Sequence, residues 1–173
     1  MSVDSGYESN AVVRAFAAGD ECEIVAIYNW YIANTVITFE EQAISATEMA
    51  ARIRTDDETC PWFVIEVDNE IQGYAYATLW KTRTAYRNSR ETSIYLHHAA
   101  AGKGFGKLLY KHLINELRKT PIHLLIGGIA LPNAGSVALH ESLGFTPVGK
   151  FCEVGRKFGN WVDVGYWQLN LEN

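Results

Sequence analysis

Long apolar runs are missing from this chain. No stretch approaches the roughly 20 residues that a membrane span needs, and no basic start followed by an apolar core marks a leader segment. Both absences predict a cytoplasmic protein with no membrane partner. Cysteine is also scarce: Cys22, Cys60 and Cys152 are odd in number, far apart and in no metal-ligand spacing. That excludes a disulfide framework and predicts reduced thiols. Lys and Arg never cluster densely and the formal charge is −5, so nucleic acid is not an expected partner. Internal repeats, low-complexity tracts and linker-like stretches are lacking too. What is there is ordinary: 173 residues, 48% apolar and 20% charged, enough for one domain with a substantial core. Residues 1–10 are polar and expected to fray, which leaves 11–173 as the domain.

The most informative stretch is S-I-Y-L-H-H-A-A-A-G-K-G-F-G-K-L-L-Y-K-H-L-I-N-E-L-R, from Ser93 to Arg118. It opens as a strand of β-branched and aromatic residues. A loop carrying Gly102, Gly104 and Gly106 follows, and then a helix pattern begins at Phe105, with Leu108, Leu109, Leu113 and Leu117 near one face. Strand, glycine loop and helix N-terminus together make an anion cradle, because glycine admits close backbone approach and the first helical turn has unpaired N–H donors. The spacing is neither that of a P-loop, which needs four residues between its glycines and then Lys-Ser or Lys-Thr, nor the G-x-G-x-x-G of dinucleotide sites. A flexible turn before a helix is the plain alternative.

The remaining elements read as follows. Ala11–Ala17 predicts a strand. Asp20 is placed to cap a helix to about Tyr31, with Cys22, Ile24, Val25, Ile27 and Tyr28 on its apolar side. Residues 33–42 predict a structured loop, and Ser45 with Glu48 forms a capping box for a helix ending near Thr55. The run W-F-V-I-E-V, the turn D-N-E and I-Q-G-Y-A-Y-A-T-L-W predict a hairpin with a close-approach Gly73. Lys81 to Ser89 is a polar, basic excursion that could steer an acidic substrate or simply be solvated. A strand over 90–96 enters the glycine loop. Ile122 to Ala130 is an apolar strand whose Gly127-Gly128 suggests a bulge or a close ligand contact. Pro132-Asn133 opens a helix to Leu143, stopped by Gly144. Val148–Val154, the turn K-F-G-N and W-V-D-V-G-Y-W-Q-L form a last hairpin. The order β-α-α-β-β-β-α-β-α-β-β predicts an α/β fold with a mixed, mostly antiparallel central sheet flanked by helices.

The loop Ala101–Gly106 resembles the pyrophosphate loop of GNAT-type N-acetyltransferases, Q/R-x-x-G-x-G/A, and the order of elements is similar to the GNAT fold. The runs I-Y-N-W-Y-I-A-N-T-V-I-T-F-E, G-Y-A-Y-A-T-L-W-K-T-R-T-A-Y-R, E-T-S-I-Y-L, L-P-N-A-G-S-V-A-L-H-E-S-L-G-F and G-R-K-F-G-N-W-V-D-V-G-Y-W-Q-L resemble one branch of that superfamily, the phosphinothricin and methionine sulfoximine N-acetyltransferases, from Ala11 onward. The resemblance implies acetyl-CoA as donor and the α-amine of a small amino-acid-like molecule as acceptor, with no metal. It also implies a homodimer, for which the ending rich in Trp161, Tyr166 and Trp167 supplies aromatic surface. Acetylation of another amine, such as a polyamine or a peptide N-terminus, and a non-catalytic acyl-CoA sensor are the competing readings.

Transferred residue by residue, the resemblance makes Glu91 the base and gives His140 the place of an acid toward the leaving sulfur or of a clamp on CoA. From the residues alone, Glu91 is equally a structural salt-bridge partner for Arg83, Arg87 or Arg90, and His140 an ordinary surface or packing histidine. Asn133, Ser136 and His140 share a helical face. Ile94, Tyr95 and Leu96 would offer strand backbone to the pantetheine arm. Gly102, Lys103, Gly104, Phe105, Gly106 and Lys107 would hold the pyrophosphate, with Asn133 and Ser142 completing the contacts. Lys81, Thr82, Arg83, Glu91, Thr92 and Ser93 match substrate positions, and Phe39 would wall the pocket. His97, His98, His112 and His123 have no metal-site spacing. Two departures stand out: Ala101 replaces the usual Gln or Arg, and Phe158 replaces a histidine of some phosphinothricin enzymes, bringing K-F-G-N-W closer to the sulfoximine and sulfone branch.

Overall fold

A computed structural model describes residues 10–53 and 57–171. Its elements are β1 (Ala11–Ala15), α1 (Glu21–Asn34), α2 (Ala46–Ile53), β2 (Trp62–Val67), β3 (Glu70–Leu79), β4 (Ser89–Leu96), α3 (Phe105–Leu117), β5 (Leu124–Leu131), α4 (Ala134–Ser142), β6 (Thr146–Lys157) and β7 (Asn160–Asn170). The expected order of elements is the observed one. The strands form a seven-stranded sheet ordered β1-β2-β3-β4-β5-β7-β6. Of its six pairings only β4–β5 is parallel. Among the described residues no helix is long and apolar enough to cross a membrane.

Local chemistry explains the elements. The β2–β3 hairpin turns through Asp68 and Asn69, and β6–β7 through Phe158 and Gly159, all at positive φ, the conformation that two-residue hairpin loops require. Ser45 and Glu48 cap α2 reciprocally, at 2.7 and 3.2 Å, as their spacing predicts. The expected end of α2 near Thr55, and the expected fraying of residues 1–9, lie outside the described residues. Asp20 precedes α1 but makes no side-chain cap. Its carboxylate is taken by the Arg14 guanidinium at 2.7 and 3.0 Å and by the Ala17 N–H. α1 runs three residues past Tyr31, into the segment read as loop, and its exit is tied by the Thr35 N–H on the Tyr31 carbonyl.

Helices sit on both faces. α1 and α2 pack Ile24, Ile27, Ile32 and Met49 against Trp62, Val64 and Tyr74. On the other face α3 lays Leu109, Tyr110, Leu113, Ile114 and Leu117 over the main core. Leu108, counted by its spacing with that apolar face, is 48% exposed; Tyr110 and Ile114 fill the arc instead, because the buried stripe runs from Phe105 away from Leu108's side.

The feature that builds the site is where pairing stops. β4 and β5 are joined only at Ser89↔Leu124, Arg90↔Leu125 and Glu91↔Ile126. Beyond Glu91, β4 stays paired to β3 as far as Leu96, and β5 to β7 as far as Leu131. The two strands therefore diverge, and the facing edge of β4 has no strand partner there among the described residues.

Candidate active site

The alternation of β4 sends its side chains to opposite faces. Glu91, Ser93 and Tyr95 line a cleft of about 510 Å³ with Phe39, Arg156 and Tyr166. Ile94 and Leu96 line a second cleft, of about 360 Å³, with Gly102, Gly104, Lys107 and Asn133. A narrow gap bounded by Ser93, Ile94, Gly128 and Asn133 lies between the diverging strands and shares walls with both.

In the second cleft, Gly102 and Gly104 have φ of +77° and +84°, a region that side chains disfavour. Gly104 is the residue before α3 and turns the chain so that the first-turn N–H groups stay open. A Cβ on Gly106 would come within 3.2 Å of Leu96 and 3.4 Å of Leu139, so its lack lets α3 approach β4 and α4. Asn133 caps α4 by accepting from the Ser136 N–H at 3.1 Å. Glycine cradle, helix start and free strand edge form one continuous surface of backbone donors and acceptors, which fits a long ligand carrying phosphate at one end.

In the first cleft, the carboxylate of the half-buried Glu91 makes no hydrogen bond or ion pair with any described residue. The salt-bridge alternative is not what the geometry shows. Arg90 turns away and binds the Thr59, Arg87 and Ser89 carbonyls and Asp57. Burial pushes the Glu91 carboxyl up, with Lys81 opposing. Gly127 and Gly128 cause no bulge, since β5–β7 register is continuous through them. They clear opposite faces: a Cβ on Gly128 would stand 3.3 Å from Tyr166 and 3.5 Å from Glu91, and one on Gly127 2.6 Å from His140 Nε2.

Several sequence candidates lie elsewhere. Lys81, Thr82 and Arg83 are on the exposed β3–β4 loop and do not line the cleft. Lys81 stands over the Trp80 ring, which meets the cleft-lining Tyr166 edge-on. Thr92 faces the α3 side and bonds the Tyr110 hydroxyl. Phe105 is buried in the main core, leaving only its backbone to the loop. Lys103 lines neither cleft, nor does Ser142, which donates to the Leu139 carbonyl. His140 is 4% exposed, with Nε2 3.1 Å from the Tyr110 hydroxyl and Nδ1 2.8 Å from the Ser136 carbonyl. Sequence reading missed Arg156, Tyr166 and Tyr110. A glycine at 155 inside a strand was the available signal: its missing Cβ would lie 2.3 Å from the Phe39 ring, so Phe39 rests directly on β6.

Comparison with known proteins gives the family and agrees with the fold. Residues 13–165 match the acetyltransferase (GNAT) domain family, and the chain belongs to that family. The phosphinothricin N-acetyltransferase of Streptomyces viridochromogenes is 34% identical, over 92% of this chain and 87% of that protein. The L-methionine sulfoximine/L-methionine sulfone acetyltransferase of Salmonella typhimurium is 34% identical, over 92% of this chain and 94% of that one. A phosphinothricin acetyltransferase from Sinorhizobium meliloti, solved in complex with acetyl-CoA, superposes with a TM-score of 0.89 at 36% identity, over 92% of this chain and 88% of that one.

Proposed function

We propose that this acetyltransferase moves the acetyl group of acetyl-CoA to the α-amine of a small amino-acid analogue of the phosphinothricin, methionine sulfoximine or methionine sulfone type. Acetyl-CoA supplies the activated acetyl group as a thioester. The backbone of Gly102–Lys107 and the start of α3 hold its pyrophosphate, and the strand-free edge of β4 at Ile94, Tyr95 and Leu96 aligns its arm, the Leu96 carbonyl also accepting from the Tyr31 hydroxyl at 2.8 Å.

The observation that carries the reading is Glu91: an unpartnered carboxylate, pushed up by burial, in the wall of the first cleft two residues before Ser93, which borders the gap between the clefts. An α-ammonium cannot attack a thioester until it loses a proton, and a raised carboxylate is a better match for that proton than an ordinary one. Glu91 takes one proton, nitrogen attacks the thioester carbonyl, and the C–S bond breaks as the adduct collapses to the amide; the departing CoA thiolate takes the second amine proton. Among the described residues Glu91 is the single acidic side chain lining this cleft, and Arg156 faces the same space. One acid and one base suit a substrate bearing both an amine and a carboxylate, and not a polyamine. Lys81 at the margin adds to the field that draws an anion.

A homodimer completes the proposal. Of the aromatics expected to supply a dimer surface, Trp167 is buried in the main core and Tyr166 lines the cleft, leaving Trp161. β6 is an edge strand with Val148, Phe151 and Val154 each more than half exposed, continued by Phe158 and Trp161, an apolar surface of the kind that a second copy covers. The exposed thiols of Cys22 and Cys152 suit the reducing cytoplasm.

Thiol release from acetyl-CoA tests the function. Methionine sulfoximine, methionine sulfone and phosphinothricin should each drive it, well above spermidine and a peptide with a free N-terminus. Turnover with the polyamine or peptide alone would overturn the proposal.

A further inference from the structure

Four groups between the clefts form a hydrogen-bonded run that acetyl transfer does not itself use. Thr92 Oγ1 lies 2.6 Å from the Tyr110 hydroxyl, that hydroxyl 3.1 Å from His140 Nε2, and His140 Nδ1 2.8 Å from the Ser136 carbonyl oxygen. Tyr110 is fully buried, and Thr92 and His140 nearly so.

Their protons can be assigned. A carbonyl only accepts, so Nδ1 carries hydrogen. Burial disfavours the imidazolium, which leaves Nε2 a lone pair to accept the Tyr110 O–H. The tyrosine oxygen then accepts from Thr92, whose other acceptor, the Ile126 carbonyl, is farther at 3.4 Å. Every donor points the same way, from Thr92 to Ser136. No imidazole N–H remains for a leaving sulfur.

The location matters as much as the protons. β4 and β5 part immediately after Glu91↔Ile126, and Thr92 is the next residue. Tyr110 comes from α3 and His140 from α4, and Gly127 lets the imidazole lie against β5, where a Cβ would meet it at 2.6 Å. Side-chain bonds thus begin where the backbone ladder ends.

We infer that Tyr110 is a positioning residue: with Thr92, His140 and Ser136 it forms a strut that fixes the angle at which β4 leaves β5, and so the place of the Glu91 carboxylate one residue earlier. This rests on the reading of Glu91 as the base. Under it His140 is a part of the scaffold and donates no proton to sulfur.

Two substitutions separate a strut from an acid. Tyr110→Phe removes one hydroxyl and keeps the ring. It should lower kcat about tenfold or more, as expected of a sub-ångström to ångström displacement of a reacting group, with acceptor KM within about twofold of wild type. His140→Gln keeps an acceptor for the Tyr110 hydroxyl and should stay within about threefold of wild-type kcat. If His140 were the acid, the order would reverse, with His140→Gln crippled and Tyr110→Phe active; that result overturns the strut. So does a Tyr110→Phe protein with a lower melting temperature and wild-type kcat, which would make the hydroxyl important for stability alone. Nitrogen-15 NMR of the wild-type protein needs neither variant nor acceptor. The His140 ring should be neutral with its proton on Nδ1 throughout the pH range in which the rate rises, and a charged ring or an Nε2–H tautomer would refute the assignment. A wild-type protein that acetylates none of the amines would defeat the reading of Glu91, while the imidazole signal would still decide the strut.

Discussion

The Lys157 ammonium donates to the Thr38 carbonyl oxygen at 2.8 Å, joining residues 119 positions apart. Lys157 is 1% exposed; burial holds its pKa below the ordinary lysine value, with Glu41 and Glu40 opposing. Phe39 follows Thr38 and rests on Gly155, so this one bond clamps the wall of the acceptor cleft to the last hairpin. Lys157→Met should leave the Thr38 carbonyl without its donor, a loss of about 1–3 kcal/mol at that contact. Acceptor KM should rise about tenfold, equivalent to about 1.4 kcal/mol, while calorimetric affinity for acetyl-CoA stays unchanged. An unaltered KM would show that the clamp does not shape the cleft.

Glu91→Gln keeps the shape of the side chain and removes the base. The expected loss in kcat/KM with methionine sulfoximine is on the order of 10²–10⁴ at neutral pH, shrinking as rising pH frees the amine. Stability should move the other way. Burial raises the Glu91 pKa above its ordinary 4.5 in the folded protein, so stability falls as pH rises through the raised value. The neutral amide avoids that loss. Glu91→Gln should melt at the same or a higher temperature than wild type at neutral pH, with the advantage gone at pH below 4.5. A markedly lower melting temperature would point to a structural ion pair.

Gly104 has φ of +84° and open space where a Cβ would go. Gly104→Val therefore meets no protein atom: it strains the turn and occupies the ground over which the pyrophosphate would approach the backbone. Acetyl-CoA affinity should fall at least about tenfold, about 1.4 kcal/mol, by calorimetry on a protein whose circular dichroism matches wild type. Equal affinity would remove the cradle from the binding site.

The exposed β6 edge gives the dimer proposal its own test. Light scattering at micromolar concentration should return twice the chain mass of 19.4 kDa. Phe151→Glu with Trp161→Glu places charge in the apolar surface and should shift the protein toward monomer. A monomeric wild type would count against the proposal.

How much of this was legible in the sequence depended on range. The capping box at Ser45 and Glu48, the two hairpin turns and the glycine loop are local patterns, and each is found where its spacing places it. Glu91 and Phe39 came from resemblance, which compresses long-range geometry into short motifs. Tyr110 was hidden because a tyrosine on an amphipathic helix reads as core, and its partners lie 18 and 30 positions away. Lys157 read as a turn residue; nothing near it tells that its ammonium is buried. Gly127 and Gly128 announced a bulge or a close ligand contact, and what they make room for is the chain's own His140, Tyr166 and Glu91. Nor could the length of the β4–β5 ladder be read, because both strands remain good strands after they part.

That short ladder has a mechanical consequence. Strands β1 to β4 form one hydrogen-bonded plate and β5 to β7 another, with three residue pairs as the seam. Beneath it a single apolar cluster runs without a break from Phe63, Ala75 and Ala77 through Leu109 and Leu113 to Leu125, Ile129 and Trp167. Apolar contact has no preferred direction, so resistance to a twist between the plates rests on those three pairs and on the Thr92–Tyr110–His140 bonds beside them. Hydrogen exchange within the sheet should then begin beside the seam, and sooner in Tyr110→Phe than in wild type.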